Sequence, residues 1–226
     1  MSLQKILNIF RRPAIELTPL DAYALWADNY PPEAHNSLMK IEERAMIDLL
    51  PELKNKIVLD LACGSGRYIL KAKEQGASEV YGLDFSLPML SRARDVSNQL
   101  ALGNMTALPF ESDSIDVVIC GLSIGHVRDL MPIYREISRV LSPNGVMVCS
   151  DIHPFGKLAG WKRQFTASNG LEYSVEHHFH LYKDHHIACT SNQMVIEDVR
   201  EPVIDGKHQW EGVPAILAIR ARKTLN

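Results

Sequence analysis

A strand, a glycine-rich turn and a helix follow one another in the first third of the chain. The apolar run 57–62 is typical of a buried strand, Cys63-Gly64-Ser65-Gly66 forms the turn, and residues 67–73 have helical character. Glycines in such a turn let the backbone approach a ligand closely and adopt conformations that other residues avoid. In open α/β sheets, ligands bind beyond the carboxyl ends of the strands. The turn therefore predicts a ligand site at the edge of a sheet.

Apolar strands alternate with helical segments along much of the chain. This alternation predicts an α/β fold with a mostly parallel sheet, and the near-continuous apolar strands indicate that helices cover both of its faces. A length of 226 residues with 46% hydrophobic and 23% charged residues fits one globular domain. In chain order, the periodicity predicts a helix at 38–50, a strand at 57–62, a helix at 67–73, a strand at 80–84, a helix at 89–96, a strand at 115–120, a helix at 130–141, a turn at 143–145, and strands at 146–149, 193–199 and 214–221.

The turn fits neither of two common nucleotide fingerprints. Ile69 stands where G-x-G-x-x-G requires its third glycine, and the phosphate-binding G-x-x-x-x-G-K-[ST] is absent. Asp84 ends the next strand, 18 residues after Gly66, where a carboxylate can accept both hydroxyls of a ribose. NAD-binding proteins share that feature, and a plain strand-to-helix turn whose Asp caps a helix remains the structural alternative.

Four blocks of the chain, within residues 57–151, resemble the class I S-adenosylmethionine-dependent methyltransferases of the small-molecule, type 11-like group. The blocks are Val58–Arg67, Tyr81–Ser86, Gly103–Phe110 with Ile115–Val118, and Tyr134–Gly145. The resemblance implies a Rossmann-like fold with a seven-stranded, mostly parallel sheet whose last strand is antiparallel. It also implies S-adenosyl-L-methionine as cofactor, with S-adenosyl-L-homocysteine as the product.

The resemblance further implies ten cofactor-binding residues. They would contact the methionine end (Asp60, Gly64 and Gly66, with Ala62 where the family often has Gly), the ribose (Asp84), the adenine (Phe85, Asn104, Met105), and the sulfonium and amino group through backbone (Cys120, Gly121). The family usually has Asp at the position of Asn104. An amide oxygen can still accept a hydrogen bond from the adenine amino group, so we expect binding to persist.

Three residues are candidates for catalysis. His126 follows the strand at 115–120, where a neutral imidazole could take a proton from the acceptor or could instead orient a loop. His153 follows the next strand and has the same two interpretations. Tyr30 could close over the methionine carboxylate or could be a core aromatic residue. Methyl transfer requires a general base only when the nucleophile carries a proton that it cannot lose alone.

Five of the nine histidines lie in the ten residues 177–186. Alternation along a strand would place His178 and His180 on one side and His177 on the other. A zinc site needs three or four convergent ligands at defined spacing, and no H-E-x-x-H is present, so a lid hairpin with one or two substrate-facing histidines is the preferred interpretation and no metal is predicted. Arg163, beside Trp161 and Lys162, could hold an anionic acceptor or belong to a solvated basic turn.

The predicted organisation is a single domain over 1–226 with two covers, a helical N-terminal lid at 1–50 and an insertion at 152–186 over the acceptor site. Met1 to Arg12 has the spacing of an amphipathic helix that packs on the domain. A formal net charge of −3 disfavours nucleic-acid partners, and no apolar run is long enough to cross a membrane. Four scattered cysteines favour reduced thiols and a cytoplasmic location. We expect a monomer or homodimer.

The function predicted from the sequence is methyl transfer from S-adenosylmethionine to an oxygen or nitrogen atom of a small molecule, with carbon left open. Two alternatives come from other classes. One is a catalytically silent, cofactor-binding regulatory or scaffold protein, for which a filled acceptor pocket would be expected. The other is a metal-dependent hydrolase-like enzyme that uses the histidine cluster, against which the four blocks argue.

Overall fold

The computed structural model describes residues 14–31, 33–206 and 209–225, so the predicted amphipathic helix at Met1 to Arg12 lies outside the described residues. The strands are β1 (Ile15–Leu17), β2 (Ile57–Leu61), β3 (Glu79–Asp84), β4 (Leu100–Leu102), β5 (Ile115–Gly121), β6 (Leu141–Ile152), β7 (Gln164–Thr166), β8 (Glu172–Val175), β9 (Met194–Arg200) and β10 (Ile216–Lys223). The helices are α1 (Pro19–Trp26), α2 (Ser37–Leu49), α3 (Arg67–Glu74), α4 (Leu87–Ala93), α5 (Met131–Val140), α6 (Phe155–Leu158) and α7 (Tyr182–Thr190), with 3₁₀ turns at Ala27–Asn29 and Ile124–His126.

Seven strands form the central sheet in the order β4-β3-β2-β5-β6-β10-β9. The neighbouring pairs from β4 to β6 are parallel, whereas β10 is antiparallel to both β6 and β9. The predicted α/β fold with an antiparallel last strand is thereby confirmed. In this order β2 lies between β3 and β5, so the carboxyl ends of these three strands meet at one edge of the sheet.

The sheet is buried on both faces because its strands are apolar throughout. Val58 and Val118, on neighbouring strands, have no exposed surface. Helix α5 covers one face with Ile133, Tyr134 and Ile137, which lie at the three- and four-residue spacing of a helical stripe and are fully buried. Burial of a side chain of this size contributes about 1.5–3 kcal/mol to folding. The core therefore holds rigidly the strand ends that support the site.

Two features of the sheet differ from the sequence prediction. The short edge strand β4 was not predicted, because three residues give too little periodicity to recognise. The predicted turn at 143–145 is an irregular excursion within β6, where the register against β5 shifts between Ile115 and Val117. Asn144 adopts φ 63 in this excursion, a left-handed conformation that Asn tolerates.

A second, three-stranded sheet covers the ligand edge of the central one. Strand β1 pairs parallel with β8, and β8 pairs antiparallel with β7. Helix α1 packs on this sheet, and the Trp26 ring stacks on Phe165 with centroids 4.7 Å apart. We call the segments 14–31 and 161–175 together the lid. Strand β1 belongs to the predicted N-terminal lid and β8 to the predicted insertion, so strand pairing joins these two segments.

None of the helices in the described part of the chain is long and apolar enough to span a membrane.

Candidate functional site

The glycine-rich turn brings the end of β2 against the end of β3. Gly64 and Gly66 adopt φ 54 and 88, in the left-handed region that favours glycine. The Gly64 N–H donates to Asp84 Oδ2 at 2.8 Å, and the Ser86 N–H donates to Asp84 Oδ1 at 2.8 Å. Burial raises the pKa of Asp84, although these backbone donors oppose the rise. The turn thereby fixes the carboxylate at the strand end.

A cavity of about 270 Å³, which we call the main cavity, opens between this turn and the lid. Nine of the thirteen predicted site residues line it, namely Tyr30, Ala62, Gly64, Asp84, Phe85, Asn104, Met105, Gly121 and His126. Leu83 and Met89 supply further apolar wall, and Thr18 and Tyr23 contribute from the lid. The structure therefore assembles most of the predicted site around one space.

Four predicted site residues lie elsewhere. Asp60 lines a smaller cavity of about 40 Å³ that shares Ala62, Gly64 and Gly121 with the main one. Gly66 is the N-cap residue before helix α3, and the Cys120 side chain is buried, with its Sγ 3.0 Å from Ser123 Oγ. His153 lines a surface groove and lies 3.0 Å from Glu201 through its Nε2, so its predicted catalytic role gains no support from this position.

The Asn104 amide is already engaged within its own loop. Its Oδ1 accepts hydrogen bonds from the Thr106 N–H and from the Thr106 hydroxyl, each at 3.0 Å. The amide oxygen was predicted to accept from the adenine amino group, yet both of its lone pairs have partners in this arrangement. The amide nitrogen is consequently the donor left for a ligand.

Arg67 is a functional candidate that the sequence prediction missed. It lines both the main and the smaller cavity, and its Nη1 is buried without a hydrogen-bond partner in the described structure. Its Nη2 donates at 2.8 Å to the fully buried carboxylate of Glu42, which also accepts from the hydroxyls of Tyr68 and Ser150 at 2.7 Å each. The only sequence signal was an arginine directly after the turn.

Beyond Tyr23, Tyr30 and Leu122 lies a second cavity of about 430 Å³, the side chamber, which shares those three residues with the main cavity. Its remaining walls include Trp26, Trp161, Trp210, His35, Lys162 and Arg163. The shared wall places any molecule in the side chamber next to one in the main cavity.

Three polar side chains meet at this shared wall. Arg163 Nη1 donates to Tyr23 Oη and to the Leu122 carbonyl, each at 2.7 Å, and Tyr23 Oη lies 2.9 Å from His126 Nε2. His126 Nδ1 lies 3.3 Å from the Glu176 carbonyl, so Nδ1 must carry the proton. Nε2 is then an acceptor, and the Tyr23 hydroxyl donates to it. The sequence prediction missed Tyr23 as a site residue because nothing in the sequence of its helix distinguishes it from other apolar residues of the lid.

Burial and charge hold these groups in defined states. Burial, followed by the neighbouring Arg163, lowers the pKa of His126 to about 3, so the imidazole is neutral at physiological pH. Burial raises the pKa of Tyr23 despite Arg163, which opposes it. Arg163 is buried, with only 11% of its side chain exposed, and its Nη2 lies 3.9 Å from Asp151 Oδ1. The possibility that Arg163 belongs to a solvated turn is therefore excluded.

The histidine-rich segment does not form the predicted strand. The Glu176 N–H still donates to the Leu17 carbonyl of strand β1. Two residues further on, the His178 N–H donates to the Gly125 carbonyl at 2.7 Å, so the backbone leaves the three-stranded sheet at this point. His177 packs against Gly125 and lies 3.4 Å from Asp151, whereas His180 donates toward the Val127 carbonyl. Across the residues that the structure describes, no three His, Cys, Asp or Glu side chains converge as metal ligands.

Comparison with known proteins agrees with this arrangement. Residues 59–149 match the family model described as a methyltransferase domain. The solved S-adenosylmethionine dependent methyltransferase from Mesorhizobium loti superposes with a TM-score of 0.68 at 25% identity, over 80% of this chain and 97% of that one. Over this domain in sequence, and over most of its length in fold, the chain is similar to the class I S-adenosylmethionine-dependent methyltransferase superfamily.

Curated methyltransferases are similar over about half of the chain. A demethylmenaquinone methyltransferase from Listeria welshimeri is 39% identical over 123 residues, which is 50% of this chain and 52% of the relative. A malonyl-[acyl-carrier protein] O-methyltransferase from Salmonella typhimurium is 36% identical over 117 residues, which is 51% of this chain and 46% of the relative. The chain thus spans about half the length of the curated relatives it matches.

The cofactor of this superfamily is S-adenosylmethionine, and the main cavity fits it chemically. Asp84 offers a carboxylate for hydroxyl groups, and Phe85, Met89 and Leu83 offer an apolar wall for a purine. The unpartnered Nη1 of Arg67 suits a carboxylate. A Cβ at Gly121 would collide with the Tyr68 ring, so the strand end comes close to the cavity only as glycine. One cavity is therefore lined by a carboxylate, an apolar wall and a guanidinium, which suit the ribose, the adenine and the carboxylate of the cofactor.

Proposed function

We propose that this protein transfers a methyl group from S-adenosylmethionine to an oxygen or nitrogen atom of a small-molecule acceptor. The observation that carries the proposal is the shared wall of Tyr23, Tyr30 and Leu122, which separates the main cavity from the side chamber. The main cavity holds the residues that suit the cofactor, and the side chamber offers a separate, partly polar space for an acceptor.

The cofactor half of the site uses three binding groups. Asp84 would accept from the ribose hydroxyls, Phe85 would lie against the adenine, and Arg67 would pair with the methionine carboxylate through its free Nη1. When bound, S-adenosylmethionine supplies a methyl carbon on a sulfonium, which the acceptor atom takes by in-line displacement while the C–S electron pair returns to sulfur. The contribution of these residues is orientation, which in ideal cases lowers a barrier by about 7–11 kcal/mol.

The acceptor half uses the polar groups at the shared wall. We assign the Tyr23 hydroxyl and Arg163 to positioning the acceptor, and His126 to fixing the Tyr23 hydroxyl through its Nε2. With a pKa of about 3, His126 is a weak base, so the site suits an acceptor atom that is already nucleophilic. Tyr23 and Arg163 belong to the lid, so the lid would shield the acceptor atom from water at the shared wall, which would strengthen the electrostatic contacts there.

An open side chamber supports turnover over the silent, scaffold alternative, because a scaffold would have its acceptor space filled by side chains. The side chamber has about 430 Å³ and contains Lys162, Arg163 and Gln164 among its walls. This is space for a small organic molecule.

The test is calorimetric titration with S-adenosylhomocysteine, followed by an acceptor screen that detects this product. We expect micromolar binding to the unaltered protein and at least a tenfold loss for Asp84→Asn. Asp95→Asn changes an exposed carboxylate just after α4 and is the matched control. Failure of the folded protein to bind either form of the cofactor would contradict the proposal. Cofactor binding without product from any acceptor class would instead favour the silent alternative.

A further inference from the structure

The side chamber has aromatic walls on several sides. Tyr23, Trp26, Tyr30, Trp161 and Trp210 all line it. The rings of Trp161 and Trp210 meet edge to face with centroids 5.8 Å apart, and Tyr23 stacks on Trp26 at the same distance. Aromatic rings favour other rings in offset-stacked or edge-to-face arrangements. The walls therefore suit a planar, unsaturated body.

The charged groups that line the side chamber are of one sign. Lys162 and Arg163 are the cations, His35 is a further titratable group, and no Asp or Glu is found among the described residues that line the space. Lys162 is exposed and forms no ion pair with any described residue. Asp151 faces Arg163 from strand β6 but does not line the side chamber. A chamber that bound an ammonium group between aromatic rings would not be lined by Lys162 and Arg163, because these cations would repel the ligand.

From these two properties we infer that the acceptor is a planar aromatic anion, whose ring lies against the aromatic walls and whose charged group faces Lys162 and Arg163. The inference rests on the proposed function, since it names the substrate class of the same site. An acceptor that already carries a negative charge needs no base to remove a proton. This matches the shared wall, where the Nε2 of His126 accepts a hydrogen bond from Tyr23 and is not available as a base.

The inference is tested with four probes of similar size, titrated by calorimetry in the presence of saturating S-adenosylhomocysteine. The probes are 2-naphthoate, its neutral isostere 2-naphthamide, the cation 2-naphthylmethylammonium, and the saturated acid decalin-2-carboxylate. We expect 2-naphthoate to bind about tenfold more tightly than each of the other three.

Two lysine variants locate the charge preference. Lys162→Gln should weaken 2-naphthoate about two- to fivefold, the range of an exposed ion pair, and should leave 2-naphthamide unchanged. Lys157→Gln removes an exposed lysine that lines the surface groove of His153 and should change neither affinity. Both residues are exposed, so neither variant threatens folding.

Equal or tighter binding of the amide or the ammonium probe would overturn the anionic half of the inference. Equal binding of the saturated acid would overturn the aromatic half, and an unchanged 2-naphthoate affinity in Lys162→Gln would overturn the assignment to this chamber. If the protein binds S-adenosylhomocysteine but not 2-naphthoate, the inference fails and the proposed function stands. If it does not bind S-adenosylhomocysteine, the proposed function fails and the inference fails with it.

Discussion

Glu42 is a buried carboxylate whose surroundings explain why Arg67 is held in place. Three donors, from Arg67, Tyr68 and Ser150, satisfy it, and the Arg67 guanidinium also lies 4.4 Å over the Tyr68 ring. A buried charge without partners would be expensive, so the carboxylate and the guanidinium stabilise each other. One nitrogen of the guanidinium, Nη1, is left over for the cavity.

Arg67→Met should abolish discrimination between S-adenosylmethionine and its decarboxylated analogue. A hydrogen bond to a charged group contributes about 1.5–3 kcal/mol, so the unaltered protein should prefer the carboxylated form by about 10- to 100-fold. In the variant the two affinities, measured by calorimetry, should converge. A general structural defect would weaken both ligands alike, so a preserved ratio would rule out the proposed Arg67–carboxylate pair.

His126 should remain neutral, with its proton on Nδ1, throughout the pH range 5–8. Its pKa is lowered to about 3, mainly by burial and then by Arg163, so protonation should begin only below that range. Imidazole ¹⁵N NMR checks both the tautomer and the titration, with His126→Asn providing the assignment. A midpoint near 6.5 for this signal would show that the imidazole is solvated and would restore it as a candidate base.

Residues whose position is determined by one strand end lie at the main cavity, as the sequence led us to expect, whereas their binding roles stay predictions. Asp84, Phe85 and Gly64 line the main cavity as the family pattern implied. The sequence pattern could not reveal that Arg163 is buried at the shared wall. Arg163 contacts Tyr23 and His126 only because the folding of the lid brings these distant residues together. His153 shows the converse, since a position after a strand did not bring it to the cavity.

Among the elements, the turn before α3 is constrained both by sterics and by its backbone conformation. A Cβ at Gly66 would collide with Val96 Cγ2, and the left-handed φ of 88 adds strain for any L side chain. The helix therefore begins correctly only with glycine at this position.

Gly66→Ala should destabilise the protein by about 1–3 kcal/mol more than Gly170→Ala. Gly170 has a similar φ of 77 but open space around its Cβ position, so it reports backbone strain alone. Urea denaturation measures both variants, and adding Val96→Ala to Gly66→Ala should restore part of the difference. Equal costs for the two glycines would show that the contact with Val96 relaxes freely.

The lid should loosen without loss of the central sheet when its aromatic packing is removed. Phe165 is 6% exposed and packs against Trp26 and Tyr173, so Phe165→Ala removes contacts of a kind that cost about 3–5 kcal/mol. Limited proteolysis with mass spectrometry should then detect new cleavage within 161–175. Phe155→Ala, at a residue that is 49% exposed, is the control and should leave the cleavage pattern unchanged. An unaltered pattern for Phe165→Ala would argue against Phe165 as the centre of lid packing.

Most of the central sheet was predictable from the sequence, whereas the second sheet, which joins the two parts of the lid, was not. Strands such as β2 and β5 are continuous apolar runs whose period appears in the sequence itself. The lid depends on β1, three residues long, pairing with β8 far away in the chain. Local patterns contain no information on such a pairing, so the sequence predicted only an inserted loop or hairpin over the sheet edge in this region.

For the whole molecule, buried neutral histidines should make the fold sensitive to acid. Burial lowers the pKa of His126 to about 3 and of His185 to about 4, against about 6.5 in an unfolded chain. Between pH 6.5 and 4 these two histidines bind protons in the unfolded chain but stay neutral in the folded chain, so the free energy of unfolding decreases as pH falls. Asp60 opposes this in part, because burial raises its pKa to about 7 and keeps it protonated in the folded state below that value.

His185→Asn should flatten the loss of stability between pH 6.5 and 4, since about one proton fewer is taken up on unfolding. At pH 7 the variant should be less stable than the unaltered protein by about 1–3 kcal/mol, because the buried Tyr134 hydroxyl loses its partner at 2.6 Å. His186→Asn, on the exposed side of the same helix, is the matched control. Urea denaturation across this pH range tests the prediction, which an unchanged slope for His185→Asn would contradict.

The parallel pairing of β1 with β8 also has a consequence for how the chain acquires its shape during synthesis. Ile15 pairs with Tyr173, 158 positions further along the chain, so β1 leaves the ribosome long before its partner exists. Strands β2 to β6 lie between them in sequence and can pair with one another first. Because contacts between distant residues close late, a nascent chain arrested before residue 172 should contain the cofactor-binding strands without the second sheet that completes the lid.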